Sequence, residues 1–192
     1  MAHSVRPATP AEAAAISAIA RESWHAAYDS FLGRETVDTV IDEWYDPESL
    51  TGSVETARSR EDVVFLVAAI GERPSTGALN EVDATGMASG DVDEIGQLVG
   101  FAHAGPDTSG TDRAVLSRIY VRPDRWGDGI GGSLLERVET TLATHFETLR
   151  LVVFADNEVG IGFYESTGFD RVDTRVSDLD DDLDEYVYEK RL

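Results

Sequence analysis

A chain of 192 residues with 42% hydrophobic residues is long enough to bury the core of one domain, and we expect a single domain over residues 1–192. Its formal net charge of -21, from 37 acidic and 16 basic residues, argues against a nucleic acid partner, because phosphate binding needs a basic surface. The absence of cysteine excludes disulfides, thiolate metal ligands and a cysteine nucleophile.

The first third of the chain predicts one strand followed by three helices and a second strand. Thr9, Pro10 and Glu12 form a helix start, with a capping side chain, a proline in the first turn and an acidic partner after it. Apolar residues then recur at helical spacing to about Trp24. The unbroken apolar run that ends at Ile70 is typical of a buried central strand. The predicted elements cover residues 3–6, 9–24, 35–44, 47–58 and 62–70.

Residues 71–96 interrupt this pattern with glycine, proline, serine and acidic residues, and they show neither a strand nor a helix period. We interpret them as a flexible insertion between two strands, either a disordered elaboration or a lid over a site. Strands and helices then alternate again, which indicates an α/β fold. The later strands are predicted at 97–104, 114–121, 149–155, 169–176 and 185–191, and the later helices at 133–146 and 157–167.

The segment 122–132 joins a strand to a helix and is rich in glycine. Glycines let backbone N–H groups converge without interference from a Cβ atom, and the helix dipole favours an anion at the same place. The segment therefore indicates a phosphate site, although such turns also serve tight packing. Gly127, Gly129 and Gly132 also fit the dinucleotide spacing G-x-G-x-x-G, with Asp156 near the place of a ribose-binding acid. Against a dinucleotide site, several residues separate these glycines from the strand.

Two motifs make the sequence resemble the GNAT superfamily of Gcn5-related N-acetyltransferases. The first reads IYVRP at 119–123, RWGDGIG at 125–131 and LL at 134–135, and is similar to the acetyl-CoA signature of that family. The second combines Asn157 with FYESTGF at 163–169. The resemblance implies a mixed central sheet of six to seven strands flanked by helices on both faces. It also implies transfer of the acetyl group of acetyl-CoA to a primary amine by direct attack within a ternary complex.

The resemblance further implies roles for residues of both motifs. Tyr164 is expected to act as the acid at the coenzyme sulfur, with packing beside Phe163 as the alternative. A backbone N–H near the end of the strand before the loop is expected to bind the acetyl oxygen. The residues expected at acetyl-CoA are Ile119, Tyr120, Val121, Arg125, Trp126, Gly127, Asp128, Gly129, Ile130, Gly131, Gly132 and Asn157.

Three of these residues carry reservations. Trp126 stands near the place where the family usually has Gln or Arg, so side-chain help to the pyrophosphate is open. Asp128 stands where a basic or neutral residue is common, and we expect its carboxylate to face solvent, because facing the phosphates would cost energy. For Asn157 the alternative role is a helix cap.

The general base is missing from its usual place. Many relatives carry a glutamate on the strand before the loop, but residues 114–121 contain no carboxylate. An ordered water or an acid from elsewhere must then serve. Each side-chain candidate also has an ordinary structural role. Candidates for the base are Glu22, His25, Asp29 and His103, and candidates for the acceptor site are Trp24, His25 and Tyr28.

The acceptor itself is left open, because a fold does not identify a substrate. It could be a small molecule, a peptide N-terminus or a lysine. The missing carboxylate also keeps a non-catalytic acyl-CoA-binding or sensory module on the same fold as an alternative. We expect no metal cofactor. Similar proteins are often homodimers, so a homodimer is a further expectation.

The acidic surface has an interpretation of its own. Many acidic residues with Lys190 as the only lysine are typical of a surface adapted to molar salt, where the screening length shortens to about 3 Å. We therefore expect a halophilic source, with a surface that gathers cationic substrates as the alternative. The chain has no apolar run long enough for a membrane span and no apolar signal core near Met1, which predicts a cytoplasmic protein without a membrane partner.

Overall fold

The structure is a computed structural model that describes residues 2–71, 96–108, 112–180 and 182–192. The predicted insertion lies almost entirely outside the described residues. A mixed sheet of seven strands has the order β1-β2-β3-β4-β5-β7-β6. The strands are β1 His3–Pro7, β2 Val64–Ile70, β3 Gln97–Pro106, β4 Arg113–Val121, β5 Thr148–Phe154, β6 Asp170–Val176 and β7 Asp184–Arg191. The helices are α1 Ala13–Leu32, α2 Arg34–Trp44, α3 Pro47–Ser59, α4 Ile130–Leu142 and α5 Glu158–Ser166.

Helices cover both faces of the sheet, as predicted. Side chains of β2 alternate between the two faces, and Phe65 and Val67 pack with α1, α2 and α3 in one core cluster. Val64 and Leu66 pack with α4 in the second cluster, which α5 also contacts. Because both faces of β2 are buried, its sequence is apolar throughout, and the prediction of a central strand is confirmed.

The sheet opens between β4 and β5. These strands are the parallel pair of the sheet, and their pairing covers Arg113 to Val115 against Thr148 to Arg150. On its other side β4 pairs with β3 along most of its length, with a bulge that leaves Ser117 unpaired between Leu116 and Arg118. The second half of β4 therefore keeps one neighbour and presents its other edge to a gap.

The first helix is longer than its sequence pattern predicted. We expected it to end near Trp24, but α1 continues to Leu32 and stops where Gly33 adopts a φ of 80°. The extension buries Tyr28, whose ring packs edge-on against Phe154 at a centroid distance of 5.5 Å. That tertiary contact stabilises a turn whose own apolar pattern is weak, and it places Tyr28 on the helix instead of in a loop.

The fourth helix also begins earlier than predicted, at Ile130 instead of Ser133. Gly131 and Gly132 consequently lie inside its first turn. In the part of the chain that the structure describes, no helix is long and apolar enough to cross a membrane.

Candidate active site

A cavity of about 460 Å³ lies at the gap between β4 and β5. Its wall is formed by α1, the second half of β4, the segment that follows β4, the end of β5 and α5. The volume is that of a typical ligand site. Among the described residues that line it, the charged side chains are Arg118 and Arg125, and there is no aspartate or glutamate. The described cavity wall therefore carries two arginines, of which Arg125 also pairs with Asp124 at 3.5 Å, in a protein of strongly negative net charge.

The N-terminus of α4 opens onto this cavity with its backbone donors free. The first N–H groups of a helix have no partner within the helix, and Gly129, which precedes α4, carries no capping side chain. Gly127 and Gly129 have positive φ values of 87° and 79°, a region that other residues rarely adopt. A Cβ atom on Gly132 would meet nothing within 4 Å, so space lies in front of this turn. The geometry is that of an anion site.

Side chains around this turn fix its shape. The indole Nε1 of Trp126 donates to the carbonyl of Val121 at 2.7 Å, and the hydroxyl of Ser23 donates to the same oxygen at 3.1 Å. Arg125 lines the cavity on the same side. Asp128, which was expected among the acetyl-CoA residues with its carboxylate in solvent, is exposed and is not part of the described cavity wall.

The N-terminus of α5 is closed by its own side chain. The Oδ1 atom of Asn157 accepts the backbone N–H of Gly160 at 2.9 Å, so Asn157 caps the helix. Its Nδ2 atom donates to the hydroxyl of Tyr28 at 3.3 Å, and Asn157 also lines the cavity. The cap and a place at the site are thus compatible roles for one amide.

Tyr164 lies on α5 and lines the cavity. Its ring makes edge contacts with Phe163 and Phe169 at centroid distances of 5.4 and 5.8 Å, so it packs as well as facing the cavity. Burial raises the pKa of the Tyr164 phenol, and the neighbouring Tyr45 raises it further. The phenol is therefore a neutral hydrogen-bond donor at ordinary pH.

The acceptor-site candidates are placed differently from one another. Tyr28 lines the cavity, whereas Trp24 and His25 do not. Trp24 is 3% exposed and donates to the hydroxyl of Tyr45 at 3.2 Å. His25 lies between two carboxylates, with Asp29 at 2.8 Å and Asp38 at 3.3 Å from its ring nitrogens.

The candidates for the general base all lie outside the cavity wall. Glu22 pairs with Arg122 at 3.1 Å, and Asp29 is occupied by His25. His103 lies next to the hydroxyl of Ser117 at 3.0 Å. Burial, with a smaller contribution from Arg118, lowers the pKa of His103 to about 4, so this imidazole is neutral at ordinary pH. The structure brings none of these groups into the cavity.

Three residues of this region were missed by the sequence analysis: Ser23, Tyr45 and Arg118. Tyr45 donates to the hydroxyl of Tyr120 at 3.1 Å, and Arg118 lies over the ring of Tyr45 at 5.0 Å. Each of the three contacts a partner that lies far away in the sequence, and no helix or strand period relates the two. The sequence therefore contained no local signal for these residues.

Comparison with known proteins decides the family. Residues 22–169 match the model of the Acetyltransferase (GNAT) family. The chain belongs to the GNAT acetyltransferase family. It is 29% identical over 162 residues to a spermidine N(1)-acetyltransferase of Thermoplasma acidophilum, and the match covers 84% of each chain.

Solved structures of the GNAT family agree with this result. The PaiA N-acetyltransferase from Thermoplasma acidophilum, in complex with coenzyme A, superimposes with a TM-score of 0.78 at 25% identity over 100% of both chains. A GNAT acetyltransferase from Streptococcus pneumoniae has a TM-score of 0.66 at 17% identity, over 100% of this chain and 99% of the other, which shows the shared fold.

The GNAT protein is an acetyl-CoA-dependent N-acetyltransferase, with acetyl-CoA as its cosubstrate. The family match therefore favours this activity over the two alternatives from the sequence, a dinucleotide-binding protein and a non-catalytic acyl-CoA-binding module. No group of three or more side chains in the described residues could hold a metal ion.

Proposed function

We propose that acetyl-CoA binds between β4 and β5, with its pyrophosphate at the N-terminus of α4 and its thioester near Tyr164. One observation carries this assignment: a single cavity joins the uncapped turn at Gly129 to the Tyr164 side chain. The backbone donors, the space in front of Gly132 and the charge of Arg125 all suit a diphosphate. The other cosubstrate residues expected from the sequence, Ile119, Tyr120 and Val121, lie along the open edge of β4.

In the proposed reaction, a neutral primary amine attacks the thioester carbonyl directly within a ternary complex. A C–N bond forms, the C–S bond breaks, and the Tyr164 phenol gives its proton to the departing sulfur. A backbone N–H near Tyr120 or Val121 donates to the carbonyl oxygen. Because no carboxylate lines the described part of the cavity, the ammonium proton leaves to water, and a proton from water restores the Tyr164 phenol.

We further propose a polycationic amine as acceptor. The relative named spermidine N(1)-acetyltransferase supports this class. Carboxylates are absent from the described cavity wall, whereas the chain as a whole has a formal net charge of -21. Aspartates of α1 and α2 already pair with Arg21, His25 or Arg34, so the attraction comes from the overall surface charge. A polyamine would place its one neutral amine in the cavity and its remaining positive charges in this negative field. A peptide N-terminus or a lysine side chain by itself carries no such additional charge.

The test is a thiol-release assay on spermidine, spermine and a lysine-containing peptide, followed by the same assay on Tyr164→Phe. We expect the polyamines to give the higher kcat/KM, and Tyr164→Phe to lower kcat about 100-fold with an unchanged Kd for coenzyme A. Tyr186→Phe, a matched change on β7 outside the cavity wall, should leave kcat unchanged. Preference for the peptide would overturn the acceptor class, and wild-type kcat in Tyr164→Phe would overturn the acid.

The remaining expectations from the sequence enter the same proposal. The chain would act as one domain over residues 1–192, as a homodimer in the cytoplasm of a halophilic organism, and its acidic surface would be an adaptation to molar salt. Thermal melting in dilute buffer and in molar KCl tests the adaptation. A higher Tm in dilute buffer would contradict it. Light scattering after gel filtration in molar KCl tests the dimer, and a monomer mass would contradict that part.

A further inference from the structure

A chain of hydrogen bonds leads from the core into the cavity. The indole N–H of Trp24 donates to the hydroxyl of Tyr45 at 3.2 Å, and the hydroxyl of Tyr45 donates to that of Tyr120 at 3.1 Å. Trp24 and Tyr45 are only 3% and 2% exposed, so water does not compete for these groups. Tyr120 ends this chain and lines the cavity, and Tyr28 lines the same cavity from α1.

The direction of the chain is fixed at its inner end. An indole N–H can only donate, so the oxygen of Tyr45 must accept from Trp24. The hydrogen of Tyr45 then needs an acceptor of its own, and among the described residues the oxygen of Tyr120 is the one within hydrogen-bond distance. Arg118 lies over the Tyr45 ring at 5.0 Å. The chain therefore ends at the hydroxyl of Tyr120, in the cavity wall.

The hydroxyl of Tyr28 is oriented from another side. The Oδ1 atom of Asn157 is used by the N–H of Gly160, so its Nδ2 atom faces Tyr28 and the oxygen of Tyr28 must accept. The hydrogen of Tyr28 has no acceptor within hydrogen-bond distance among the described residues. Burial raises the pKa of the Tyr28 phenol, so the phenol keeps this hydrogen at ordinary pH.

We propose that Tyr28 is a second catalytic hydroxyl, which donates its hydrogen to the carbonyl oxygen of the acetyl group as that oxygen gains negative charge. The proposal rests on the function proposed above. The oxygen of Tyr28 accepts from Asn157, its hydrogen is unused, and Tyr28 lines the cavity. Tyr28 is therefore suited to donate to an oxygen that becomes negative.

Tyr45 and Trp24 are positioning residues for Tyr28. Trp24 packs edge-on against the ring of Tyr28 at a centroid distance of 4.6 Å, and its indole N–H is held by the hydroxyl of Tyr45. Loss of the Tyr45 hydroxyl should therefore loosen the position of Tyr28 without removing its donor. Asn157 holds the oxygen of Tyr28 and also caps α5, which carries Tyr164. The two hydroxyls, Tyr28 from α1 and Tyr164 from α5, thus serve the two atoms of the thioester that gain charge, its oxygen and its sulfur.

The experiment compares Tyr28→Phe, Tyr45→Phe and the control Tyr186→Phe in the full-length enzyme with acetyl-CoA and spermidine. We expect Tyr28→Phe to lower kcat about 100-fold, as loss of one oxyanion donor does, with unchanged KM and Kd for the coenzyme. Tyr45→Phe should lower kcat about fivefold, because Trp24 and the Tyr28 ring that it packs against are then held less firmly. With fluoroacetyl-CoA, whose carbonyl is more electrophilic, the loss of kcat in Tyr28→Phe should be smaller than with acetyl-CoA. The loss of kcat in Tyr164→Phe should be the same with both substrates.

Wild-type kcat in Tyr28→Phe would overturn the proposal. A loss of kcat accompanied by a matching loss of coenzyme affinity and of Tm would also overturn it, because that pattern indicates a structural role. If Tyr28→Phe did not fold, a wild-type kcat in Tyr45→Phe would decide against the proposal, because the position of Tyr28 would then not matter for the reaction. In each of these cases the wild-type enzyme still acetylates spermidine. Absence of coenzyme A release by the wild-type enzyme with every amine would instead overturn the proposed function itself.

Discussion

Two helix N-termini meet at the cavity, and they are completed in opposite ways. Both α4 and α5 follow strands of the parallel pair, β4 and β5. The turn before α4 ends in Gly129, which offers no capping side chain, and the first turn of α4 contains no acidic residue. The turn before α5 ends in Asn157, which caps Gly160, and the first turn of α5 contains Glu158.

The difference shows that a strand-to-helix turn is not by itself an anion site. At the N-terminus of α5, the positive end of the helix dipole already faces the side-chain oxygen of Asn157 and the carboxylate of Glu158. An anion there would lose the N–H of Gly160 as a donor and would lie near a negative charge. At α4 the donors are free, and glycines leave room before them. Tyr164 on the closed helix and the open turn of α4 then face one cavity. We infer that α4 binds the cosubstrate and that α5 positions the Tyr164 side chain for the reaction.

The largest test of this comparison introduces a carboxylate into the open turn. Gly132→Asp should weaken coenzyme A binding about 100-fold, because a new negative charge would lie a few ångströms from the pyrophosphate. Gly132 has room for a side chain and no positive φ, so the effect should be electrostatic. The matched variant Gly132→Asn should bind nearly as well as wild type. Isothermal titration measures both, and equal losses would show that the site is not at this turn.

In contrast to its effect on binding, Gly132→Asp should leave the ligand-free protein at least as stable as wild type. An acidic residue in the first turn of a helix stabilises it by about 0.5 kcal/mol, so the Tm of the ligand-free protein should not fall. A lower Tm together with weaker binding would indicate distortion of α4 instead of repulsion of the ligand.

The closed turn should respond mainly in stability. Asn157→Ala removes the cap of α5 and should lower the free energy of unfolding by about 1 kcal/mol. Asn157→Asp keeps an oxygen for the N–H of Gly160 but loses the donor to Tyr28, so its stability should stay near wild type while its kcat falls. Urea unfolding and the thiol-release assay measure the two effects. If Asn157→Ala weakened coenzyme A binding as strongly as Gly132→Asp, the division of roles would be wrong.

The smallest effect is expected from loss of the hydrogen bond between the Trp126 indole and the carbonyl of Val121, beside the open turn. Trp126→Phe keeps the ring but loses the N–H that holds the carbonyl of Val121, which should weaken coenzyme A binding by about 1 kcal/mol, or roughly fivefold. Ser23 still donates to the same carbonyl and limits the loss. The control is Trp44→Phe, an exposed indole outside the cavity wall. Unchanged titration curves for Trp126→Phe would show that this bond does not organise the turn.

The sequence predicted the order of the elements and the two motifs because each depends on neighbours within a few residues. The apolar run of β2, the glycines before α4 and the cap at Asn157 are local features, and the structure confirms all three. The end of α1 was predicted wrongly, because its last turns are stabilised by contacts of Tyr28 with Phe154, far along the chain.

The sequence by itself therefore determined the fold class, the family resemblance and the open turn of α4. Only the tertiary structure decided which side chains share the cavity. Asn157 and Tyr28 are 129 positions apart, and Tyr45 and Tyr120 are 75 apart, yet both pairs are hydrogen-bonded. No helical or strand period encodes such contacts, because they arise when separate helices pack on one sheet. The same packing left every predicted base outside the described cavity wall.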